Sequence, residues 1–334
     1  MTLSAPPPGP AERAPAYRRG PRWVAVFAAV FTLPLLFVGG SVTTYRVGMA
    51  VPDWPTTFGM NMFLYDFWNA PFGVRVEHAH RLYGAAVGLA TVVLMVWFLA
   101  AERRRALKVL GVVAFLAVTL QGILGGTRVT QTSTLLAAVH GCLGQAFFGL
   151  MVALCVLTGR DWLDGPTPVL DPARLRQRSA LTLGLAYFQV VLGAWLRHYG
   201  TFAALLAHAV FAAAVWGHAA LLAVRVERCR RAVLPLVPAA RALALVVTLQ
   251  VALGIGAWWL LRPFDGTARP VTLFQAMIRT GHQTNGALLL AALVVLTLRS
   301  YRHLVPASRA AGSTSTSPSP APSTSVSLTR EAIA

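Results

Sequence analysis

The stretch EHAHRLYG, Glu77 to Gly84, sets a carboxylate, two imidazoles and a guanidinium at the entry to a run of some twenty apolar residues. An ionisable group at a bilayer centre costs roughly 2.5 to 3.5 kcal/mol on insertion scales, so such a cluster marks a candidate functional site. Within it, His80 has three counterparts: His140, His208 and His282 each fall in the first turns of an apolar run. Two imidazoles facing each other across a four-helix bundle make a bis-histidine haem site, and bundle cores are where such sites are built. Zinc suits the pattern less, because no cysteine or third histidine completes four ligands in either pair. Two porphyrins, one per histidine pair, are therefore expected.

The elements that must position these residues are membrane spans. Of 334 residues 56% are hydrophobic and only 12% charged, far too apolar for an ordinary soluble domain. A formal net charge of +18 raises the question of nucleic acid, but the arginines lie in short clusters between apolar runs rather than on a basic face. Runs of about 20 apolar residues are long enough to cross the hydrocarbon core, and eight are visible. They cover approximately 23–41, 80–100, 107–125, 134–158, 180–197, 202–224, 242–261 and 273–298. The first run has no small-residue cleavage site and reads as an uncleaved helix rather than a signal peptide. Arginine clusters before the first run and after the second, fourth, sixth and eighth put both termini in the cytoplasm of a bacterial-type inner membrane.

The expected fold class is thus an all-α integral membrane protein, eight transmembrane helices in two pseudo-symmetric four-helix bundles. The organisation is a disordered tail at 1–22, a first half at 23–158, a cytoplasmic linker at 159–179, a second half at 180–298 and a disordered Ser/Thr/Pro-rich tail at 299–334. The four histidines all occur in helices running inward from the outer side, within roughly 0 to 15 Å of their outer ends. QGILGG, QVVLGA and QVALGI, from Gln121, Gln189 and Gln250, share a Q-x-x-L-G pattern, and their glutamines and glycines read as helix-packing residues. Arg81, Arg128, Arg197 and Arg279 fall near the outer surface, where each could pair with a porphyrin propionate or contact lipid headgroups. His78, His198, His218 and His303 read as structural. Cys142, Cys155 and Cys229 have neither zinc-like spacing nor a pair in an outer loop.

Taken together, GGSVTTYRVGMAVPDWPTTFG from Gly39, the E-x-x-H-R of Glu77, His80 and Arg81, GGTRVTQTSTLLAAVHGCLGQ up to Gln145 and RTGHQTNGALLLA from Arg279 resemble haem A synthase. The resemblance runs from about Trp23 to Leu298. It implies an oxidoreductase of haem A biosynthesis and cytochrome oxidase assembly, which converts the C8 methyl of haem O to a formyl group by successive hydroxylations. It also implies a resident haem b on His208 and His282, substrate haem O on His80 and His140, and a catalytic role for Glu77. Implied partners are haem O, the haem O synthase (a protohaem farnesyltransferase) and an electron acceptor, with homo-oligomerisation left open. Many family members carry a cysteine pair flanking the PDWP segment; Val51 and Thr57 stand there in this chain, so no disulfide forms at that place. From the residues alone two other classes remain: a di-haem b cytochrome exchanging electrons with quinone, and a haem transporter or chaperone. Neither gives a task to Glu77, which as a bland alternative would cap its helix.

Overall fold

The computed structural model describes residues 17, 19–165, 168–261 and 270–306. Most of the two tails expected to be disordered therefore lies outside the described residues. Eight helices are long and apolar enough to cross a membrane. They are α1 (Arg19–Thr44), α2 (Phe72–Ala101), α3 (Arg105–Thr130), α4 (Thr134–Leu157), α6 (Leu175–Tyr199), α7 (Phe202–Arg228), α8 (Val237–Leu261) and α9 (Leu273–His303). A short α5 (Arg160–Leu163), a two-residue strand β1 (Val169–Leu170), a 3-10 turn at Leu234–Leu236 and a strand β2 (Leu304–Val305) complete the described elements.

Helix neighbours close in two rings. The first is α1–α2–α3–α4 with α1 against α4, the second α6–α7–α8–α9 with α6 against α9; α9 meets α1 and α4, and α4 meets α6, to join them. Each ring has its own apolar core. Val87, Leu94, Phe98, Met151 and Leu154 lie at the centre of the first, and Leu222, Leu243, Leu293 and Leu296 at the centre of the second. Outward faces are apolar as well: Leu89, Leu116, Leu245 and Ile255 are more than half exposed, as suits side chains bathed in hydrocarbon.

Of the four helices that carry His80, His140, His208 and His282, three start at a polar cap that sets the depth of the histidine. Ser133 accepts from Leu136 N–H to open α4, Thr201 from Ala204 N–H to open α7, and Thr272 with Gln275 forms a reciprocal capping box on α9. His140 and His208 each follow seven residues after their cap, and His282 follows ten. The fourth helix differs from its sequence expectation. α2 begins at Phe72 rather than at His80, so His80 lies more than two turns inside it and Glu77 in its second turn. Prolines at 52, 55 and 71 delay the helix, but nothing between Phe72 and His80 prevents it.

The opposite, arginine-rich end also departs from expectation. The span placed at 273–298 continues to His303, and residues 304–305 pair in parallel with 169–170 of the linker, so the linker and the start of the tail are one latch. Arginines there terminate helices: Arg104 donates to Leu157 O, Arg299 to Pro235 O and Arg302 to Trp162 O.

Candidate haem sites

The histidines pair as their spacing requires. His80 on α2 and His140 on α4 have ring centroids 6.3 Å apart; His208 on α7 and His282 on α9 are 6.2 Å apart. Two imidazoles bound to one metal from opposite sides, at about 2 Å per bond, have centroids about 6 Å apart. Edge-to-face aromatic packing gives a similar separation, so the distance alone does not decide. The backing of the rings does.

Each of the four rings lies on a glycine of the neighbouring helix. A Cβ on Gly39, Gly125, Gly193 or Gly254 would come within 2.7, 3.2, 3.0 and 2.9 Å of Cε1 of His80, His140, His208 and His282 respectively. One turn before two of those glycines a backbone carbonyl meets Nδ1: Leu35 O is 3.2 Å from His80 Nδ1, and Gln250 O is 3.2 Å from His282 Nδ1. A carbonyl only accepts, so Nδ1 carries the proton and Nε2 keeps the lone pair that a metal needs. Packing would not demand the same backing four times. Among the described residues no group of three or more His, Cys, Asp or Glu gathers to hold a metal ion, so a metal held by either histidine pair would need its other ligands from its own macrocycle. The residues therefore fit two haems.

The Q-x-x-L-G segments are thus more than packing motifs. Their glycines are Gly125, Gly193 and Gly254, the ring-backing residues, and two of their glutamines reach histidines directly. The Gln189 carboxamide nitrogen lies 3.0 Å from His208 Nδ1 and donates to His208 O at 2.8 Å. Gln250 Nε2 lies 3.4 Å from His282 Nε2, and its Oε1 accepts from Asn285 Nδ2 at 2.7 Å. A sequence signal was available: Gln121 to His140 and Gln189 to His208 are both separated by 19 residues.

Glu77 is 2% exposed, and each of its carboxylate oxygens accepts one hydrogen bond. One carboxylate oxygen accepts from Val51 N–H at 3.0 Å and the other from Arg81 Nη2 at 2.9 Å. It does not cap α2, being too far into the helix. The two terminal nitrogens of Arg81 also donate to Val51 O, Asp53 O and Thr56 O at 2.9, 2.7 and 2.9 Å. That guanidinium is a clamp on the PDWP loop. His78, completely buried, adds a second pin through Thr57 Oγ1 at 3.2 Å and the rings of Tyr65 and Phe67. Trp54 lies against Gly126 of α3. The loop's own turn is held by Asp53. Burial works against its ionisation, but hydrogen bonds from Gly59 N–H, the Thr56 hydroxyl and Phe58 N–H outweigh that and hold its carboxyl at about 2.

The other outer arginines are less committed. Arg128 approaches Gly48 O at 3.5 Å, too long for a strong bond. Arg197 uses one nitrogen on Gly40 O at 2.6 Å and Thr44 Oγ1 at 2.9 Å. Arg279 has no hydrogen bond or ion pair with the described residues. The three cysteines are free, as expected.

Residues 21–206, more than half of the chain, match the COX15-CtaA family of cytochrome oxidase assembly proteins. The chain is 27% identical over 202 residues to a Heme A synthase of Exiguobacterium sp., covering 58% of this chain and 64% of the relative. It is 27% identical over 230 residues to a Heme A synthase of Rhodopseudomonas palustris, covering 58% of each. The matched region thus spans about three fifths of these relatives.

Proposed function

Because the chain belongs to the COX15-CtaA family of cytochrome oxidase assembly proteins, we propose that it is a haem A synthase, a membrane oxidoreductase that turns the C8 methyl of haem O into a formyl group. His80 and His140 receive the substrate; His208 and His282 hold a resident haem b. The observation that carries this reading is Glu77, the one buried carboxylate among the described residues. Two similar histidine frames exist, and only one has an acid, Glu77, three residues before its ligand and therefore on the same helix face. A cytochrome with two permanent haems has no use for that difference.

In the proposed reaction each hydroxylation takes oxygen from water and releases two protons and two electrons; after the second, the geminal diol loses water to leave the formyl group. Glu77 is the base. Of about four acceptor sites on its carboxylate, two are occupied by Val51 N–H and Arg81, which fix its direction and leave lone pairs for a water proton. Its negative charge also opposes positive charge that develops at the methyl carbon. Arg81 and the loop cover that carboxylate from the outer side and hold it in place. Haem b, when bound, supplies one-electron redox chemistry. Arg128, Arg197 and Arg279 retain donors for propionates, and the arginine-rich end faces the cytoplasm with both termini. Haem O synthase and an electron acceptor in the membrane are the partners.

The test is mass analysis of haems extracted from membranes that express this chain with a haem O synthase, against the synthase alone. Haem A or its hydroxylated precursor is expected. Haem B and haem O alone, with intact haem-bearing protein and an added electron acceptor, would overturn the proposal.

A further inference from the structure

The connection from α1 to α2, residues 45–71, is the longest segment without a helix or strand among the described residues, whereas α6 passes to α7 through Gly200 and Thr201 alone. Irregular loops of that length are uncommon in compact folds and usually functional. One face of the loop is accounted for, since Val51, Asp53, Thr56 and Thr57 bind Glu77, Arg81 and His78. The other face is apolar and open. Phe63, Leu64 and Trp68 are 67, 77 and 74% exposed, and Phe58, Met60 and Phe72 about half exposed. Ring contacts join them into one surface: Phe58 meets Tyr65 at 5.7 Å, Tyr65 and Phe67 both rest on His78, and Phe67 stacks on Trp68 at 4.7 Å. A gathered apolar surface of this kind marks an interaction site.

What the loop is tied to gives the level of that surface. α2 has 30 residues, about 45 Å at 1.5 Å per residue, against a hydrocarbon core of about 30 Å and about 40 to 45 Å with both interfacial regions. It ends at Ala101 beside Glu102, Arg103, Arg104 and Arg105. Hydrocarbon therefore takes up roughly the 20 residues before that end, and 72–81 cross the opposite interface. The fixed points of the loop fall inside this layer and not above it. They are Glu77, His78 and Arg81 on α2, Gly73 under Val47 and Ala50, and Gly126, four residues before the end of α3, under Trp54. Between Val47 and Val74 the only charged residues are Asp53 and Asp66. Both have partners inside the loop, Asp53 in its turn and Asp66 accepting from Asn69 Nδ2 at 2.7 Å.

We infer that this face of the loop is a lipid-docking surface, set into the interfacial layer of the leaflet opposite the arginine-rich end, with Phe63, Leu64 and Trp68 reaching the acyl chains. Aromatic side chains are favoured at that depth. Phe72, at the start of α2, carries the surface onto the lipid-facing sides of the helices. A protein partner arriving from water would need the same side chains above the layer, and the ties to α2 and α3 hold them within it. Lipid then holds one face of the loop while Glu77 and Arg81 hold the other, so the bilayer completes the cover on that carboxylate. The inference rests on the membrane spans and not on the haem reading.

The test places a nitroxide on Phe63→Cys, Leu64→Cys or Trp68→Cys, one at a time, in full-length protein with Cys142, Cys155 and Cys229 replaced by alanine, held in phosphatidylcholine nanodiscs. Leu89→Cys on the lipid-facing side of α2 and Arg231→Cys at the arginine-rich end are the hydrocarbon and water references. Collision with a water-soluble nickel chelate should be roughly tenfold lower at the three loop positions than at Arg231→Cys, as the cost of taking a polar group out of water requires. Collision with oxygen should match Leu89→Cys. Nickel collision equal to that at Arg231→Cys would overturn the inference and leave the surface to a protein partner in the aqueous phase. Should the cysteine-free background not accumulate, wild type against Trp68→Phe gives the same answer. The emission that this substitution removes should be quenched by phosphatidylcholine brominated on its acyl chains; quenching by acrylamide in its place would overturn the inference.

Discussion

The half formed by α1–α4 and the half formed by α6–α9 present the same histidine frame and differ in much of what surrounds it. In each, two imidazoles face each other at 6.2 to 6.3 Å with a glycine behind every ring. Around His208 and His282, glutamine carboxamides reach both histidines, and Asn285 locks one of them. Among the described residues no carboxamide hydrogen-bonds to His80: Leu35 occupies the place one turn before the backing glycine, a carboxylate lies three residues upstream, and a clamped loop covers the end. The residue three before His282 is Arg279, opposite in charge to Glu77. A frame fixed by backbone and glycine is reusable; under the proposed function, retention or reaction is decided by the side chains placed beside it.

That contrast can be broken most severely at the ligands. His208→Ala or His282→Ala should abolish the resident low-spin haem spectrum, whereas His80→Ala should keep it and lose only substrate haem; a normal spectrum in either of the first two would undo the assignment of the halves. Next in size is Glu77→Gln, which preserves shape but not charge. Formyl product should fall about 100-fold or more, as removal of a general base does, while both histidine pairs still ligate. Extracted-haem mass analysis reads this directly, and undiminished product would erase the chemical difference between the halves.

Gly39→Ala and Gly254→Ala sharpen the part that the halves share. The new methyl would press on a histidine ring, and overpacking of this kind costs roughly 1 to 3 kcal/mol. It should appear as faster haem loss from the half concerned and not from the other. Gly84→Ala and Gly217→Ala, where nothing lies within 4 Å, serve as controls without effect.

The smallest effect concerns the loop that only the first half has. Asp53 ionises at about 2 in the fold against 3.8 ordinarily. Its contribution is therefore complete above pH 3.8 and fades as pH falls toward 2. Proteolysis of the loop should rise over that window in wild type, and Asp53→Asn should remove the pH dependence.

Eight spans, two histidine pairs and the face shared by Glu77 and His80 were all legible in the sequence. They follow from run length, from residue type and from helical spacing, which are local or periodic properties. Arg81 was not legible in the same way. Its partners are carbonyls of residues 51, 53 and 56, and every residue has a carbonyl, so no letter marks which ones converge on a guanidinium. The Q-x-x-L-G repeats were visible, but their meaning depends on a ring from another helix lying on the glycine. What the sequence determined by itself was a membrane protein with a layer of histidines and an acid beside it, because those depend on composition and on the helix period. Which half is clamped and which is bridged by Asn285 were decided only by the tertiary structure, because each depends on groups brought together from separate helices.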